Sequence, residues 1–123
     1  MLPKVVIAGR TNVGKSTLFN CFVGFRKALV LDQPGVTRDE NAADVVWNDV
    51  PFSIVDTGGI ASEAEDPLQP LVRKRIEVVL EEASVFLFVG DAKVGLLPED
   101  QAILKNLRKF DRPILMVVNK VDP

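Results

Sequence analysis

The chain of 123 residues has no histidine, one cysteine and no long hydrophobic run. Without histidine, any proton transfer near neutral pH must use carboxylates, lysine or water. Cys21 has no partner for an internal disulfide, so we expect it to be a small core residue of an intracellular protein. No apolar stretch approaches the roughly 18–20 residues that cross a bilayer, so no membrane partner is expected.

The chain also lacks an excess of charge of either sign, with a net charge of −2 at pH 7. Nucleic-acid-binding domains usually carry a basic patch, so direct nucleic-acid binding is not expected. Repeats and low-complexity tracts are absent, and hydrophobic residues make up 47% of the sequence, which excludes a disordered chain. The length suits one domain with a single core.

The most informative stretch is Gly9–Ser16, which reads GRTNVGKS and fits the pattern glycine, four residues, Gly-Lys-Ser. It follows the apolar run Val5–Ala8 and precedes Thr17–Phe22, a segment typical of the first turns of a helix. This context favours a phosphate-binding loop over the alternative, a glycine turn with a surface lysine. The residues predicted to contact the nucleotide here are Gly9, Arg10, Thr11, Asn12, Val13, Gly14, Lys15, Ser16 and Thr17.

The composition of this stretch suits the chemistry of such a loop. The loop wraps a polyphosphate with backbone N–H groups, so glycine is needed where a Cβ atom would block the approach. The helix that begins near Lys15 adds unpaired N–H groups and the positive end of its dipole. Lys15 brings a charge to the β and γ phosphates, and the Ser16 hydroxyl is suited to ligate Mg²⁺. The sequence therefore predicts binding of a nucleoside triphosphate.

Strand and helix patterns alternate along the rest of the chain. Strands are predicted at 4–8, 85–89 and 113–118, and helices at 15–23, 71–83 and 98–109. Residues 44–47 and 52–56 flank a short turn and predict an antiparallel hairpin. The pattern indicates an α/β fold, a three-layer sandwich whose mostly parallel sheet has one antiparallel edge strand.

Finer expectations concern the ends, faces and connections of these elements. Gly24 is expected to close the first helix in a left-handed conformation. Leu71 and Ala102 are expected on the buried faces of the second and third helices. Residues 28–31 are apolar and would suit a short strand, but residues 32–35 break it and residues 36–40 are polar and aperiodic. We therefore expect residues 27–41 to form a mobile loop over the phosphates, with an ordinary surface connection as the alternative. Residues 60–70 are acidic, contain two prolines and predict another loop.

A second motif, Asp56-Thr57-Gly58-Gly59, ends the second strand of the hairpin. In an open α/β sheet, ligands bind at the carboxyl ends of the strands. Asp56 would hold Mg²⁺ through a water molecule, and the Gly59 N–H would reach a γ-phosphate. Alone this motif would be a common turn, but downstream of a phosphate loop it indicates a second part of the same site.

A third motif, Asn119-Lys120-Val121-Asp122, follows the last predicted strand and indicates the base. The Asp122 carboxylate would accept hydrogen bonds from guanine N1–H and the guanine amino group, whereas adenine offers neither donor on that edge. Since an unpaired buried carboxylate is costly, discrimination against adenine would be large. Asn119 would tie this segment to the phosphate loop, and the Lys120 stem would lie on the base. The predicted ligands are therefore GTP and GDP.

On these motifs the sequence resembles translation-factor-type GTPases and, more closely, the Era/MnmE/Der group of bacterial GTPases. The resemblance is carried by Gly9–Asn20 (GRTNVGKSTLFN), Gly35–Asp39 (GVTRD), Asp56–Ile60 (DTGGI) and Asn119–Asp122 (NKVD). Within the group these segments look like the first GTPase domain of the Der family, also called EngA. The likeness covers nearly the whole chain and implies a P-loop NTPase fold.

The resemblance also implies an activity and a set of roles. It implies slow hydrolysis of GTP in the cytoplasm, in a protein that acts in assembly of the large ribosomal subunit. The implied Mg²⁺ ligands are Ser16, Thr37 and Asp56, and the implied catalytic residues are Lys15, Thr37, Gly59 and Asn12. Further nucleotide contacts are implied for Thr57, Gly58, Ile60, Lys120 and Val121. Asn12 would help to hold K⁺ beside the phosphates, although a structural role within the loop is the alternative.

Several positions depart from the family pattern. Thr11 stands where proline is usual, and Gly90 stands where an apolar residue is usual. Ile60 occupies the place of a water-orienting glutamine in many GTPases, which leaves open a GTP-binding recruitment module with negligible turnover. An Era- or MnmE-type GTPase is a further alternative, disfavoured by the residues around Gly59. Residues 1–123 are expected to form a GTP-binding domain that is truncated at its carboxyl terminus, with apolar surface exposed there.

Overall fold

The structure is a computed structural model that describes residues 2–10, 14–24, 38–39, 41–58 and 69–119. Its elements, in chain order, are β1 (Lys4–Ala8), α1 (Lys15–Val23), β2 (Arg38–Asp39), β3 (Ala42–Trp47), β4 (Val50–Asp56), α2 (Pro70–Glu82), β5 (Val85–Asp91), α3 (Pro98–Arg108) and β6 (Ile114–Asn119). This alternation of strands and helices confirms the predicted α/β class.

The described strands form one sheet in the order β2-β3-β4-β1-β5-β6. Strand β1 pairs in parallel with β4 and β5, and β5 pairs in parallel with β6. The hairpin strands β3 and β4 are antiparallel, and β2 pairs antiparallel with β3 at the edge. The sheet is therefore parallel through its centre, as predicted, and its antiparallel pairing is confined to one side.

Two apolar clusters cover the two faces of this sheet. Successive strand residues point to opposite faces, so Val6 belongs to one cluster and Ile7 to the other. The first cluster includes Leu80 of α2 and Leu107 of α3, whereas the second includes Phe19 of α1. Helices on both faces give the three-layer sandwich that the sequence predicts.

Helix α1 has the predicted bounds, but two expectations about it are wrong. Gly24 is right-handed (φ −58°, ψ −22°), because its N–H bonds to the Phe22 carbonyl and the chain continues to turn in the helical sense. Cys21 is exposed rather than buried. It lies two residues beyond Phe19, which faces the sheet, and therefore falls on the opposite side of the helix.

Helices α2 and α3 each begin with a proline in the first turn, where the missing N–H costs nothing. Leu71 is 73% exposed, against expectation, because it lies in the first turn of α2, ahead of the part that packs on the sheet through Leu80. Ala102 of α3 is also exposed, because Leu104 and Leu107 take the buried face of that helix.

The hairpin is confirmed, with a two-residue turn at Asn48 and Asp49. Both residues have positive φ (51° and 64°), as turns matched to the twist of paired strands require. The prediction of a loop over 27–41 is wrong for Arg38–Asp39, which pair with Ala42 and Ala43 because the edge of β3 offers free backbone groups. The prediction of a loop over 60–70 is wrong for Pro70, where α2 begins. Residues 27–37, residue 40 and residues 60–68 lie outside the described residues.

Strand β6 forms the other edge of the sheet and carries exposed apolar side chains. These are Leu115, Met116 and Val118. Exposed apolar surface in this carboxyl-terminal part agrees with the sequence-based expectation. Across the described ranges, no helix combines the length and the apolar character needed to span a bilayer.

Candidate functional site

Strands β1, β4, β5 and β6 end at the same edge of the sheet, and predicted site residues lie at the ends of three of them. Strand β1 is followed by Gly9, β4 ends with Asp56, and β6 ends with Asn119. In the register of the strands, Ile7 lies opposite Asp56 and Asp91 lies opposite Asn119. Parallel pairing therefore gathers three segments that are distant in sequence.

The start of α1 lies directly against the end of β6. Gly14 caps α1 with φ 99° and ψ 20°, a left-handed conformation that glycine adopts at little cost. A Cβ atom on Gly14 would lie 2.1 Å from Nδ2 of Asn119, so a larger residue would not fit. The first and third sequence motifs are thus in contact through Gly14 and Asn119.

Lys15 is only 8% exposed although it carries a titratable amine. Its Nζ donates hydrogen bonds to the carbonyl oxygens of Gly9 (2.5 Å) and Arg10 (2.6 Å), which hold the side chain over the loop. Burial lowers the pKa of Lys15; the carboxylates of Asp56 and Glu99 oppose this decrease, and the charge of Arg10 adds to it. A partly desolvated ammonium group held by neutral carbonyls is well suited to bind an anion.

The segment after β4 packs closely on Lys15. A Cβ atom on Gly58 would lie 2.4 Å from Cε of Lys15, so only glycine leaves room for the lysine stem. The Thr57 hydroxyl donates a hydrogen bond to the Ile7 carbonyl (2.8 Å), which ties this segment to β1. Thr57 therefore uses its side chain to position the backbone beside the loop.

Asp56 is 3% exposed and accepts a hydrogen bond from the Ser16 hydroxyl to its Oδ2 atom (3.4 Å). Its Oδ1 atom has no hydrogen-bond partner among the described residues. A buried carboxylate oxygen without a partner is costly unless a cation neutralises it. Ser16 and Asp56 supply hard oxygen ligands, the kind that Mg²⁺ prefers. These two residues therefore fit a Mg²⁺ ion, and Thr17 lies exposed in the same helical turn.

The described residues contain no group of three or more His, Cys, Asp or Glu side chains able to hold a metal ion by themselves. Mg²⁺ is commonly bound by one or two protein ligands together with water and substrate phosphates. A sparse protein ligand set beside an anion-binding loop is consistent with that mode of binding.

Sequence reasoning missed Asp100, which is completely buried at the start of α3. Its carboxylate lies 3.2 Å from Nε of Arg10, the second residue of the phosphate loop. Acidic residues in the first turn of a helix usually serve the helix itself, so the sequence pattern around Asp100 carried no signal of a partner ninety residues earlier. The position of Asp100 next to the loop emerges only from the packing of α3.

Several predicted site residues lie outside the described part of the chain. They are Thr11, Asn12, Val13, Thr37, Gly59, Ile60, Lys120, Val121 and Asp122. The described site therefore consists of the two flanks of the phosphate loop, the end of β4 and the end of β6. The nucleotide, metal and catalytic roles of all the predicted site residues, described or not, stay predictions.

The chain is similar to bacterial proteins named GTPase Der. It is 50% identical over 122 residues to GTPase Der of Geotalea daltonii, covering 99% of this chain and 28% of that protein. It is 49% identical over 120 residues to GTPase Der of Moorella thermoacetica, covering 98% of this chain and 27% of that protein. The chain thus spans little more than a quarter of the length of these curated relatives, and the match fits the first GTPase domain expected from the sequence.

Solved structures of Era share the fold. Aquifex aeolicus Era bound to GDP and AlF4⁻ matches with a TM-score of 0.63 and 30% identity, covering 99% of this chain and 42% of that one. Era in complex with MgGDPNP and nucleotides 1506–1542 of 16S ribosomal RNA matches with a TM-score of 0.64 and 30% identity, covering 98% and 41%. These matches confirm the P-loop GTPase fold.

The family described as 50S ribosome-binding GTPase matches residues 4–120. That range includes the phosphate loop, the motif at the end of β4 and the segment that begins at Asn119. Because the match extends over nearly the whole chain, the chain belongs to the family of 50S ribosome-binding GTPases.

Proposed function

We propose that this chain binds GTP and GDP with Mg²⁺ and hydrolyses GTP, as a molecular switch in assembly of the large ribosomal subunit. The observation that carries the proposal is the convergence of Lys15, Asp56 and Asn119 at one edge of the sheet. A lysine-bearing loop and a buried carboxylate beside it support binding of a polyphosphate with a divalent cation. Asn119 against Gly14 supports a base-reading segment joined to that loop.

Lys15 would bind the β and γ phosphates. Its Nζ donates hydrogen bonds to the carbonyl groups of Gly9 and Arg10, which hold the ammonium over the loop. Because the amine is buried, its attraction to phosphate is less screened than it would be in water. The first N–H groups of α1 and the positive end of its dipole act on the same anion.

Ser16 and Asp56 would hold Mg²⁺, together with Thr37 from the segment at 35–39. The Oδ1 atom of Asp56 supports this assignment, because it is buried without a hydrogen-bond partner among the described residues and is therefore available to a ligand. When bound, Mg²⁺ neutralises charge on the phosphate oxygens. The Gly59 N–H would donate to the γ-phosphate, and Asn12 would help to hold K⁺.

Guanine specificity is assigned to Asp122, with Thr57, Gly58, Ile60, Lys120 and Val121 completing the nucleotide contacts. The relatives named GTPase Der and the Era structures with guanine nucleotides support this choice. We further propose that the whole protein acts in the cytoplasm and binds the large ribosomal subunit. The Era complex with 16S ribosomal RNA makes RNA contact a property to test, although the net charge of −2 does not favour it.

A second function is favoured by Ile60, which lies where many GTPases carry a glutamine. An aliphatic side chain has no group that orients water, so hydrolysis of GTP would be negligible. The GTP-bound state would then persist and would itself recruit a partner. Both functions share the same site and differ only in the rate of hydrolysis.

A multiple-turnover assay with GTP, in the presence of K⁺ or Na⁺, separates the two functions. We expect slow release of phosphate that increases in K⁺, because a cation held near Asn12 would add positive charge beside the phosphates. Binding of GTP without turnover in either salt would favour the recruitment module. Absence of GTP binding would contradict the proposal altogether.

The role of Lys15 is tested by Lys15→Ala. Loss of its charge-assisted hydrogen bonds should weaken GTP affinity by roughly 1.5–3 kcal/mol, about ten- to hundredfold. Titration calorimetry on the folded variant measures the effect. An unchanged affinity would show that the loop does not bind phosphate through this residue.

The choice of base is tested by Asp122→Asn. The asparagine amide would donate a hydrogen bond to the carbonyl that xanthine carries in place of the guanine amino group. The variant should therefore bind GTP more weakly and xanthosine triphosphate more tightly, and both proteins should bind ATP weakly. The ratio of the three affinities is the quantity to measure. If the unmodified chain binds ATP as well as GTP, or if the variant keeps the same preference, Asp122 does not read the base.

A further inference from the structure

A buried ion pair joins the phosphate loop to helix α3. Asp100 has no exposed surface, and the Arg10 side chain is largely buried with it. Nε of Arg10 lies 3.2 Å from Oδ1 and 3.3 Å from Oδ2 of Asp100, so this one N–H faces both carboxylate oxygens. Nη2 of Arg10 and Oδ1 of Asp100 have no hydrogen-bond partner among the described residues. Removal of either partner would leave the other charge buried and uncompensated, which is costly.

Asp100 is itself held rigidly. Its Oδ2 atom accepts a hydrogen bond from the Leu97 N–H (2.8 Å), which closes the first turn of α3. The positive end of the α3 dipole favours a negative charge at this position. Leu104 and Leu107 then anchor the same helix in the core. The carboxylate is therefore fixed relative to the sheet.

Arg10 connects this fixed point to the lysine of the loop. The side chain of Arg10 is held by Asp100, whereas its backbone carbonyl accepts a hydrogen bond from Nζ of Lys15 (2.6 Å). A displacement of Arg10 would therefore move one of the two carbonyl groups that seat the ammonium.

We propose that Asp100 is a positioning residue for nucleotide binding. It holds the Arg10 side chain, and the backbone carbonyl group of Arg10 in turn fixes the Lys15 ammonium against the polyphosphate. The inference rests on the proposed function, in which Lys15 binds the β and γ phosphates. In this proposal the Arg10 side chain binds Asp100 of helix α3, and the backbone carbonyl group of Arg10 binds Lys15 in the loop.

The test is a comparison of GTP and GDP affinities in Asp100→Asn, with and without Lys15→Ala. Asparagine keeps an oxygen that accepts the Leu97 N–H, so the helix cap survives while the charge facing Arg10 is lost. We expect affinities for GTP and GDP to fall about tenfold, by similar factors, since both nucleotides carry the β-phosphate. In the Lys15→Ala background the same substitution should change affinity by less than about twofold, because the residue through which Asp100 acts is already missing.

Two further variants complete the design. Arg10→Gln removes the other half of the pair and should reproduce both the loss and its dependence on Lys15, which keeps the proposal testable if Asp100→Asn does not fold. Glu82→Gln is the matched control, since Glu82 forms an exposed ion pair with Lys4 at the opposite end of β1 and should leave affinity unchanged.

The outcomes separate the inference from the proposed function. Affinity that is unchanged in Asp100→Asn and Arg10→Gln would overturn the inference alone, as would a loss of equal size in the Lys15→Ala background. Absence of GTP binding by the unmodified chain would overturn the proposed function and the inference together.

Discussion

The burial of Lys15 changes the chemistry of its amine. The residue is buried, yet the hydrogen-bond partners of its amine are two neutral carbonyl groups rather than a carboxylate. Desolvation therefore lowers the pKa of Lys15 below its ordinary value of 10.5. A bound polyphosphate would supply the missing negative charge and reverse this shift.

A prediction about proton uptake follows at this scale. Between the lowered pKa and 10.5, free Lys15 is partly deprotonated, whereas phosphate-bound Lys15 is charged. At a pH between the lowered pKa and 10.5, nucleotide binding should therefore take up part of a proton, and affinity should fall as the pH rises through the lowered pKa. Titration calorimetry in buffers of different ionisation enthalpy measures the uptake.

The control for this prediction is Lys15→Arg, whose guanidinium group does not titrate in this range. The variant should bind nucleotide without the uptake of a proton. An uptake that persists in Lys15→Arg would show that another group is responsible, and no uptake in the unmodified chain would show that Lys15 is fully charged before binding.

At the scale of single elements, strand β5 contains an unexpected glycine. Gly90 is buried near the end of the strand. Among the described residues, a Cβ atom there would meet only Cε1 of Phe88, at 4.0 Å, which is ordinary van der Waals contact. The backbone at Gly90 does not require a positive φ, so nothing in the described surroundings demands glycine.

We therefore expect Gly90→Ala to raise the free energy of unfolding by about 0.5–1 kcal/mol. The gain would come from the smaller conformational entropy of alanine in the unfolded chain and from the apolar contact with Phe88. Urea unfolding followed by circular dichroism measures it.

Gly14→Ala is the matched control, with the same added methyl group at the cap of α1. There the left-handed backbone costs a residue with a Cβ atom about 1–2 kcal/mol, and the methyl group would collide with Asn119. The two substitutions should thus have opposite signs. Equal destabilisation by both would show that the space beside Gly90 is filled.

At the scale of the whole molecule, the two edges of the described sheet differ. The β2 edge is short, whereas β6 is six residues long and exposes Leu115, Met116 and Val118. Exposed apolar surface on an edge strand favours pairing with a second copy of the chain. We expect this 123-residue chain to self-associate at high concentration, and sedimentation velocity measures this.

Substitution of both Leu115 and Val118 by lysine should reduce that association, because the two side chains lie on opposite faces of β6 and a charge on each face opposes stacking and pairing. Leu71→Lys is the control, since Leu71 is an exposed apolar residue on α2, away from the strand edge. Association that is equally sensitive to Leu71→Lys would place the contact elsewhere.

Much of the candidate site was predictable from sequence because its parts are local. The loop between β1 and α1, the motif that begins at Asp56 and the segment at Asn119 each follow an apolar strand, and the α/β alternation brings strand ends to one edge. The three layers follow from the same alternation, since apolar residues occupy both faces of β1.

Only the tertiary structure decided which side chains reach one another. Hydrophobic periodicity does not tell how far a helix extends beyond the sheet, so Leu71 was expected to be buried and is exposed. The paired edge at Arg38–Asp39 depends on free backbone groups of β3, which carry no side-chain pattern. From the sequence, Asp100 is an acidic residue in the first turn of a helix. Its contact with Arg10 arises because the packing of α3 on the sheet brings that turn to the phosphate loop.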